Sequence, residues 1–161
     1  MNIFTDGSRL HDRTGTGYII YEDANEYDTG LFSLSPYSTV FQAELVTILL
    51  SVRHVLREAW SLCPRFVKIF SDSRSALAAL NARRSSCRTV RDTIDALNAL
   101  ADICHTVRLV WVPSHSGIRG NERADSLAKL GATADASESP YLPLCPLSYS
   151  RGLISHAIRE A

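Results

Sequence analysis

The 161-residue sequence has little of what several kinds of chemistry and architecture require. Its four cysteines, Cys63, Cys87, Cys104 and Cys145, stand far apart with no Cys-x-x-Cys pair, so neither a zinc site nor a thioredoxin-like site has ligands at workable spacing. Scattered thiols fit a reducing compartment, cytoplasmic or nuclear. No apolar run approaches the ~18 residues of a membrane span. Met1 leads straight into NIFTDGS rather than into a basic segment and an apolar stretch, so the expectation is a chain with neither membrane anchor nor secretion signal. Charge of one sign is not in excess. The 17 Lys and Arg balance 17 Asp and Glu, which excludes a histone-like polycation but leaves room for local patches. With 45% apolar residues the chain can build one core of α/β size, and disordered or collagen-like organisation is excluded.

Periodicity places the elements. NIFTDGS, GTGYIIYED rising from a Gly-rich turn, and EYDTGLFSLS stopping at Pro36 read as three strands of an antiparallel meander. From Val40 to Trp60, Phe41, Leu45, Ile48, Leu49, Val52 and Leu56 recur on one helical face, with Gln42, Arg53 and Arg57 opposite. FVKIFSD is a buried-type strand, and SRSALAALNA, with Ser73 near its start, is a short helix. A second helix runs from Thr89 to Cys104. VRLVWV, ending at Pro113, is a fifth strand, in which Trp111 is expected in the core or on the sheet face and Trp60 is expected to pack. Asn121 is the expected N-cap of ERADSLAKL and Gly131 its C-cap residue. Three strands, a helix, a strand, two helices, a strand and a helix describe an α/β domain, a mixed sheet with helices packed on it. Residues 1–132 form that unit. Beyond it the composition turns small and polar, Pro140, Pro143 and Pro146 follow, and Leu153, Ile154, Ala157 and Ile158 share a stripe. Residues 133–161 therefore read as a Pro-containing linker and an appended helix.

Four acids occupy contexts that surface charges avoid. Asp6 ends the apolar Ile3, Phe4 segment and precedes Gly7, and Asp72 repeats that arrangement after Val67, Ile69 and Phe70. Glu44 sits among Phe41, Ile48 and Val55 at the edge of the apolar arc. Asp125 falls in the expected first turn of the last helix, where the macrodipole favours a carboxylate. Singly, each reads as a turn or cap residue. Together, half-buried carboxylates repel one another and are costly to desolvate unless a cation lies between them. Oxygen-only ligands select Mg2+, with Mn2+ as a substitute. Two such ions ~3.5–4 Å apart activate water on one side of a phosphate and stabilise the leaving oxygen on the other, so the set suits phosphodiester cleavage.

TDGS around Asp6, FQAEL around Glu44, SDSRSAL around Asp72 and WVPSHSGIRGNERAD running to Asp125 resemble, in order and spacing, the type 1 ribonuclease H domains, above all those of non-LTR retrotransposon polyproteins. The likeness covers residues 1–132. It implies a ribonuclease H-like fold, a mixed five-stranded sheet of order 3-2-1-4-5 with helices on both faces. It also implies that Asp6, Glu44, Asp72 and Asp125 are the catalytic set binding two magnesium ions, with Asp6 bridging both. The implied reaction is internal hydrolysis of the RNA strand of an RNA/DNA hybrid without sequence preference, leaving 5′-phosphate and 3′-hydroxyl ends. His115, in the loop PSHSG, matches a histidine that assists proton transfer or the departure of product and metal; a side chain titrating near neutrality on a Gly-containing loop suits that work. The implied partner is a reverse transcriptase domain in the same polypeptide, the isolated domain being monomeric. His11, His54, His105 and His156 match no motif position.

The sequence also departs from the pattern. Where the family usually carries an Asn or Gln pair before the helical Glu and a Gln two residues after the third acid, Val40, Phe41 and Arg74 stand here. Thr39, with Ser38, is left as a hydroxyl donor for a phosphate or a 2′-OH. Between Leu80 and Val90 there is no room for the extra basic helix of many bacterial enzymes. Instead, seven basic residues, Arg65, Lys68, Arg74, Arg83, Arg84, Arg88 and Arg91, accompany the single acid Asp72. Arg74, Arg83, Arg84 and Arg88, with Ser8 and Arg9 beside Asp6, are the candidate substrate contacts; a merely solvated basic surface is the alternative. Two other functions compete with the nuclease. One is a catalytically silent ribonuclease H-like module that positions nucleic acid for a neighbouring polymerase. The other is metal-independent cleavage by histidines, which lacks a second well-placed histidine.

Overall fold

The computed structural model describes residues 1–62, 64–82 and 85–134, with no side chains described for residues 60–62. Strands β1 (Asn2–Leu10), β2 (Arg13–Glu22) and β3 (Asn25–Leu34) form the expected meander and are followed by helix α1 (Val40–Leu62) and strand β4 (Phe66–Ser71). Helices α2 (Arg74–Asn81) and α3 (Arg88–Ile103), strand β5 (Thr106–Trp111) and helix α4 (Arg119–Thr133) complete the order. The sheet runs β3-β2-β1-β4-β5, antiparallel from β3 to β1 and parallel from β1 to β5. This is the expected topology. No helix among the described residues is long and apolar enough to cross a membrane.

Both faces of the sheet are covered. Ile3, Ile20, Val67 and Ile69 point to one side, where they meet Leu45, Ile48, Leu49 and Val52 of α1, Ala76 and Leu80 of α2, and Val90 and Leu100 of α3. Ile19 and Tyr21 point to the other, against Ala124 and Leu127 of α4 with Phe4 alongside. Alternation along β1 and β2 thus feeds two cores, which is why these central strands carry apolar residues at successive positions.

Missing side chains let the helices come close. A Cβ on Gly7 would lie 2.7 Å from the backbone nitrogen of Glu44, so α1 reaches β1 only because residue 7 has none. On the opposite face, Gly15 and Gly17 leave room for the backbone of α4, and a Cβ on Gly131 would come within 2.8 Å of the Thr16 and Phe32 carbonyls. These contacts correct two expectations. Gly15 and Gly17 lie inside β2 rather than in a turn, the chain instead reversing at His11 with a φ of 53°. Gly131 lies within α4 and serves close packing, not capping.

The start of α4 also differs from the expectation. Ile118, with no side-chain cap bond, is its N-cap, and Asn121 is a buried residue of the first turn. The reversal at Gly117, whose φ of 78° suits glycine, begins the helix early, and the Gly117 N–H donates to Glu122 Oε1 at 3.3 Å. Asp125 consequently stands in the second turn, beyond the strongest reach of the macrodipole, so position and not the dipole explains it. Trp111 is not in the core: it is 42% exposed at the end of the edge strand. Helix α4 ends at Thr133, and the expected linker and appended helix lie outside the described residues except for their first two positions. The Trp60 side chain is outside them as well.

Candidate active site

Strand register brings the first two acids together. In the parallel pair β1/β4, Thr5 lies opposite Ser71, so the next residues, Asp6 and Asp72, stand abreast. Asp6 stays within β1, whereas Asp72 is the first residue past β4. Two hydroxyls shape that exit. Ser71 Oγ accepts the Ser73 N–H at 3.1 Å, and Ser73 Oγ accepts the Ala76 N–H at 3.3 Å as the N-cap of α2. Asp72 is held further by neighbours from β5 and α4. Trp111 Nε1 donates to its carbonyl at 3.1 Å, and Asn121 Nδ2 donates to its Oδ2 at 3.4 Å.

Glu44 arrives from α1 over the gap at Gly7. Thr47, one turn further along, ties the helix to the strand, its hydroxyl lying 3.0 Å from the Asp6 carbonyl and 2.8 Å from that of Ala43. Carboxylate oxygens of Asp6, Glu44 and Asp72 all fall within 4.8 Å of one another. Asp6 is 6% exposed and Glu44 4%, and Glu44 Oε2 has no hydrogen-bond partner among the described residues.

Electrostatics follow from this crowding. Burial, then the charges of Asp72 and Asp125, push Asp6 up to about 7, while Lys129 and the Gly7 N–H pull it back. Burial, then Asp6 and Asp72, push Glu44 up to about 9, against the Gly7 N–H. Such a set is strained when ionised without a cation. An orphaned, buried carboxylate oxygen facing two other acids fits a hard divalent ion, and oxygen-only donors fit magnesium or manganese.

The fourth acid lies in the same field but in different company. Asp125 groups with His115 and Glu122, whose ligand atoms all lie within 4.8 Å of one another. Its Oδ2 lies 2.6 Å from Lys129 Nζ. His115 is exposed on its loop with a φ of 50°. Glu122, Asn121 and Lys129 were not among the residues read as functional from sequence. The signal for two of them was present, since Glu122 and Lys129 stand three before and four after Asp125, on the same helical face.

The candidate substrate contacts are mixed. Thr39 closes a capping box on α1, its Oγ1 accepting the Gln42 N–H at 3.1 Å while its own N–H donates to Gln42 Oε1 at 2.9 Å. Its hydroxyl is engaged there, and Ser38, 1% exposed, does not face solvent. Ser8 is half-buried, and Arg9 is exposed with its Nε donating to the His11 carbonyl at 3.4 Å. Arg74 lies over the ring of Trp111, its guanidinium carbon 4.1 Å from the centroid. Arg88 pairs with Asp92 at 3.7 Å, and Arg91 is spent on the Ser85 and Ser86 carbonyls. Arg83 and Arg84 lie outside the described residues.

Comparison with known proteins agrees with this geometry. Residues 1–133 match the family model described as RNase H. The chain is 31% identical over 145 residues to a ribonuclease H of Bartonella quintana, covering 83% of this chain and 89% of that one. It is 26% identical to a ribonuclease H of Tropheryma whipplei, covering 86% and 88%. Among solved structures, RNase H1 of Halobacterium salinarum superposes with a TM-score of 0.62 at 18% identity, covering 81% of this chain and 95% of that one. The N-terminal RNase H domain of a Mycobacterium tuberculosis protein superposes with a TM-score of 0.63 at 16% identity, covering 82% and 99%. A match spanning every described element, joined to carboxylates gathered where the motifs fall, leads to one conclusion: the chain belongs to the RNase H family.

Proposed function

We propose that the chain is a divalent-metal-dependent endoribonuclease that hydrolyses the RNA strand of RNA/DNA hybrids, leaving 5′-phosphate and 3′-hydroxyl ends. The observation that carries this reading is the burial of Asp6 and Glu44 against Asp72 with one carboxylate oxygen unpartnered. A fold has no stabilising use for such a cluster, and a bound cation removes its repulsion. Asp6, Glu44, Asp72 and Asp125 would hold magnesium, which when bound activates water and stabilises the leaving oxygen of a phosphodiester. Asn121 keeps the Asp72 carboxylate turned towards the site. His115, on its exposed loop beside Asp125, would assist proton transfer or the departure of product and metal.

The grip on nucleic acid comes from Arg74, Arg88, Ser8 and Arg9, with Arg83 and Arg84 continuing the basic run in sequence. The motif WVPSHSGIRGNERAD and the short Leu80 to Val90 connection support placement in a retrotransposon polyprotein next to a reverse transcriptase, acting in the cytoplasm or nucleus. In that setting residues 1–132 are the catalytic unit and 133–161 a Pro-containing linker with an appended helix. A silent positioning module is disfavoured, because a surface that only binds phosphate gains from losing buried negative charge.

The test is cleavage of an end-labelled hybrid by the purified chain with Mg2+, with EDTA, and by Asp72→Asn. Cutting with Mg2+, none with EDTA, and binding without cutting for Asp72→Asn is the expected result. Cutting in EDTA would overturn metal dependence, and no cutting with any divalent ion would favour the silent module.

A further inference from the structure

We propose that Trp111 is a positioning residue that acts on both sides of the site: its ring N–H holds the turn carrying Asp72, and its ring face holds Arg74 as a phosphate contact beside the scissile position. The second half rests on the hybrid-cleaving function proposed above. Trp111 ends β5 in register with Ser71 of β4. From there its Nε1 donates to the Asp72 carbonyl at 3.1 Å, while the N–H of the next residue, Val112, donates to the Ser71 carbonyl at 3.1 Å. The carbonyls of Ser71 and Asp72, where β4 ends, are thus held by Val112, just past β5, and by Trp111, its last residue. The backbone that carries the Asp72 carboxylate is thereby anchored to the neighbouring strand end.

The face of the same ring carries the other function. The Arg74 guanidinium carbon lies 4.1 Å from the ring centroid, within cation–π range. Trp111 is 42% exposed, and Arg74 is exposed on the first turn of α2, two residues after Asp72. Among the described residues no acid forms an ion pair with Arg74. Its charge is therefore uncommitted. A guanidinium held over the ring keeps N–H donors for a second partner, and such a fork can grip two phosphate oxygens. It also removes rotamer freedom that a long exposed side chain would otherwise lose on binding. A permanent charge presented this way, next to an acid that binds the metal, selects an anionic ligand, so the contact is assigned to a backbone phosphate and not to a base edge.

The experiment uses the full chain, a short fluorescent RNA/DNA hybrid in EDTA over a range of salt, and Mn2+ alone by calorimetry. Arg74→Gln and Trp111→Leu are expected to lower the salt slope of hybrid binding by about 0.7–0.9, the loss of one phosphate contact. Trp111→Phe keeps a stacking face and is expected to retain the slope, yet to weaken Mn2+ binding about 10-fold, at the low end for an outer-shell partner. In steady-state cleavage the main effect of Arg74→Gln falls on KM and that of Trp111→Phe on the Mn2+ requirement. Circular dichroism checks the fold; if Trp111→Leu fails to fold, the other two variants decide. An unchanged slope in Arg74→Gln overturns the phosphate contact, and unchanged Mn2+ affinity in Trp111→Phe overturns the hold on Asp72. If the unaltered chain neither binds nor cuts hybrid, the proposed function fails, while the Mn2+ comparison still judges the Asp72 half.

Discussion

Lys129 Nζ lies 2.6 Å from Asp125 Oδ2, one helical turn along α4. Asp125 binds a cation of the chain's own while the other three acids face one another, and the same ammonium draws the pKa of Asp6 down. On the proposed metal-binding role, Lys129 would compete with the ion for Asp125 and oppose its approach to Asp6. Replacing it by a neutral residue of similar length removes one positive charge from the site, worth about threefold in cation affinity at solvent-screened distances. Lys129→Met is therefore expected to bind Mn2+ about threefold more tightly and to reach half-maximal cleavage at lower metal. Calorimetry decides the matter. Weaker binding would mean that Lys129 orients Asp125 for the metal instead of competing with it.

The raised carboxylates make a prediction about stability without metal. Asp6 moves from 3.8 to about 7 and Glu44 from 4.5 to about 9 on folding. Between those values the folded chain holds protons that the unfolded chain has released, so unfolding free energy falls as pH rises. This contribution is fully present below about pH 4 and is lost as pH climbs through about 7 and 9. In EDTA, Glu44→Gln is expected to be more stable than the unaltered chain at about pH 8.5, by roughly 1–3 kcal/mol, with the gap closing near pH 5. Millimolar Mn2+ should reverse the order. Thermal melts of the two proteins across pH measure this, and a Glu44→Gln variant that is less stable than its parent throughout would contradict it.

The sequence made the acids legible for a physical reason. Asp6 and Asp72 each follow apolar strand residues, and while one such acid alone reads as a turn or cap residue, four together have few structural uses. What one dimension could not show was how they meet, because that depends on the parallel register of Thr5 with Ser71 and on the absent side chain of Gly7. The glycines were misread for the same reason. Gly15, Gly17 and Gly131 look like turn and cap residues to a local reading, and only the packing of α4 on β2 reveals that they make room. Asn121 fits an N-cap by type, but a tertiary partner, Asp72, claims its side chain. His54, which matches no motif, bridges strands instead. Its Nδ1 lies 3.1 Å from the Tyr18 hydroxyl, and its Nε2 lies 3.2 Å from Asp28 Oδ2, close enough to pair yet outside hydrogen-bond direction. Within the basic run, Arg91 donates to the carbonyls of its own loop, whereas Arg88 stays exposed with Asp92 3.7 Å away.

His115 is exposed and sits beside Asp125 and Glu122, outside the trio of Asp6, Glu44 and Asp72. In the role proposed for it, a residue in that place would help a proton or a product leave and would not hold the reacting centre together. His115→Ala is expected to lower kcat about 100-fold, the low end for loss of a positioned acid or base, while hybrid affinity in EDTA stays within about twofold. Single-turnover cleavage separates chemistry from release. Loss of all cleavage together with loss of Mn2+ binding would instead make His115 a required ligand.

Gly7 gives the sharpest link between packing and chemistry. A methyl group there would lie 2.7 Å from the Glu44 nitrogen and 2.8 Å from the Ala43 Cβ, so α1 must move away from β1 or tilt. Thr47, anchored to the Asp6 carbonyl, resists that movement, and overpacking of this kind destabilises by about 1–3 kcal/mol. The displaced element carries Glu44, so the loss in metal affinity should exceed anything that partial unfolding explains. Gly7→Ala, measured well below its melting temperature, is expected to fold, to bind hybrid in EDTA, and to bind Mn2+ at least about 10-fold more weakly. Asp6 would then face one acid less, and the pH dependence of stability in EDTA should flatten relative to the unaltered chain. Retention of both metal affinity and pH dependence would show that α1 can move without carrying its carboxylate along, and that the close approach at Gly7 serves packing alone.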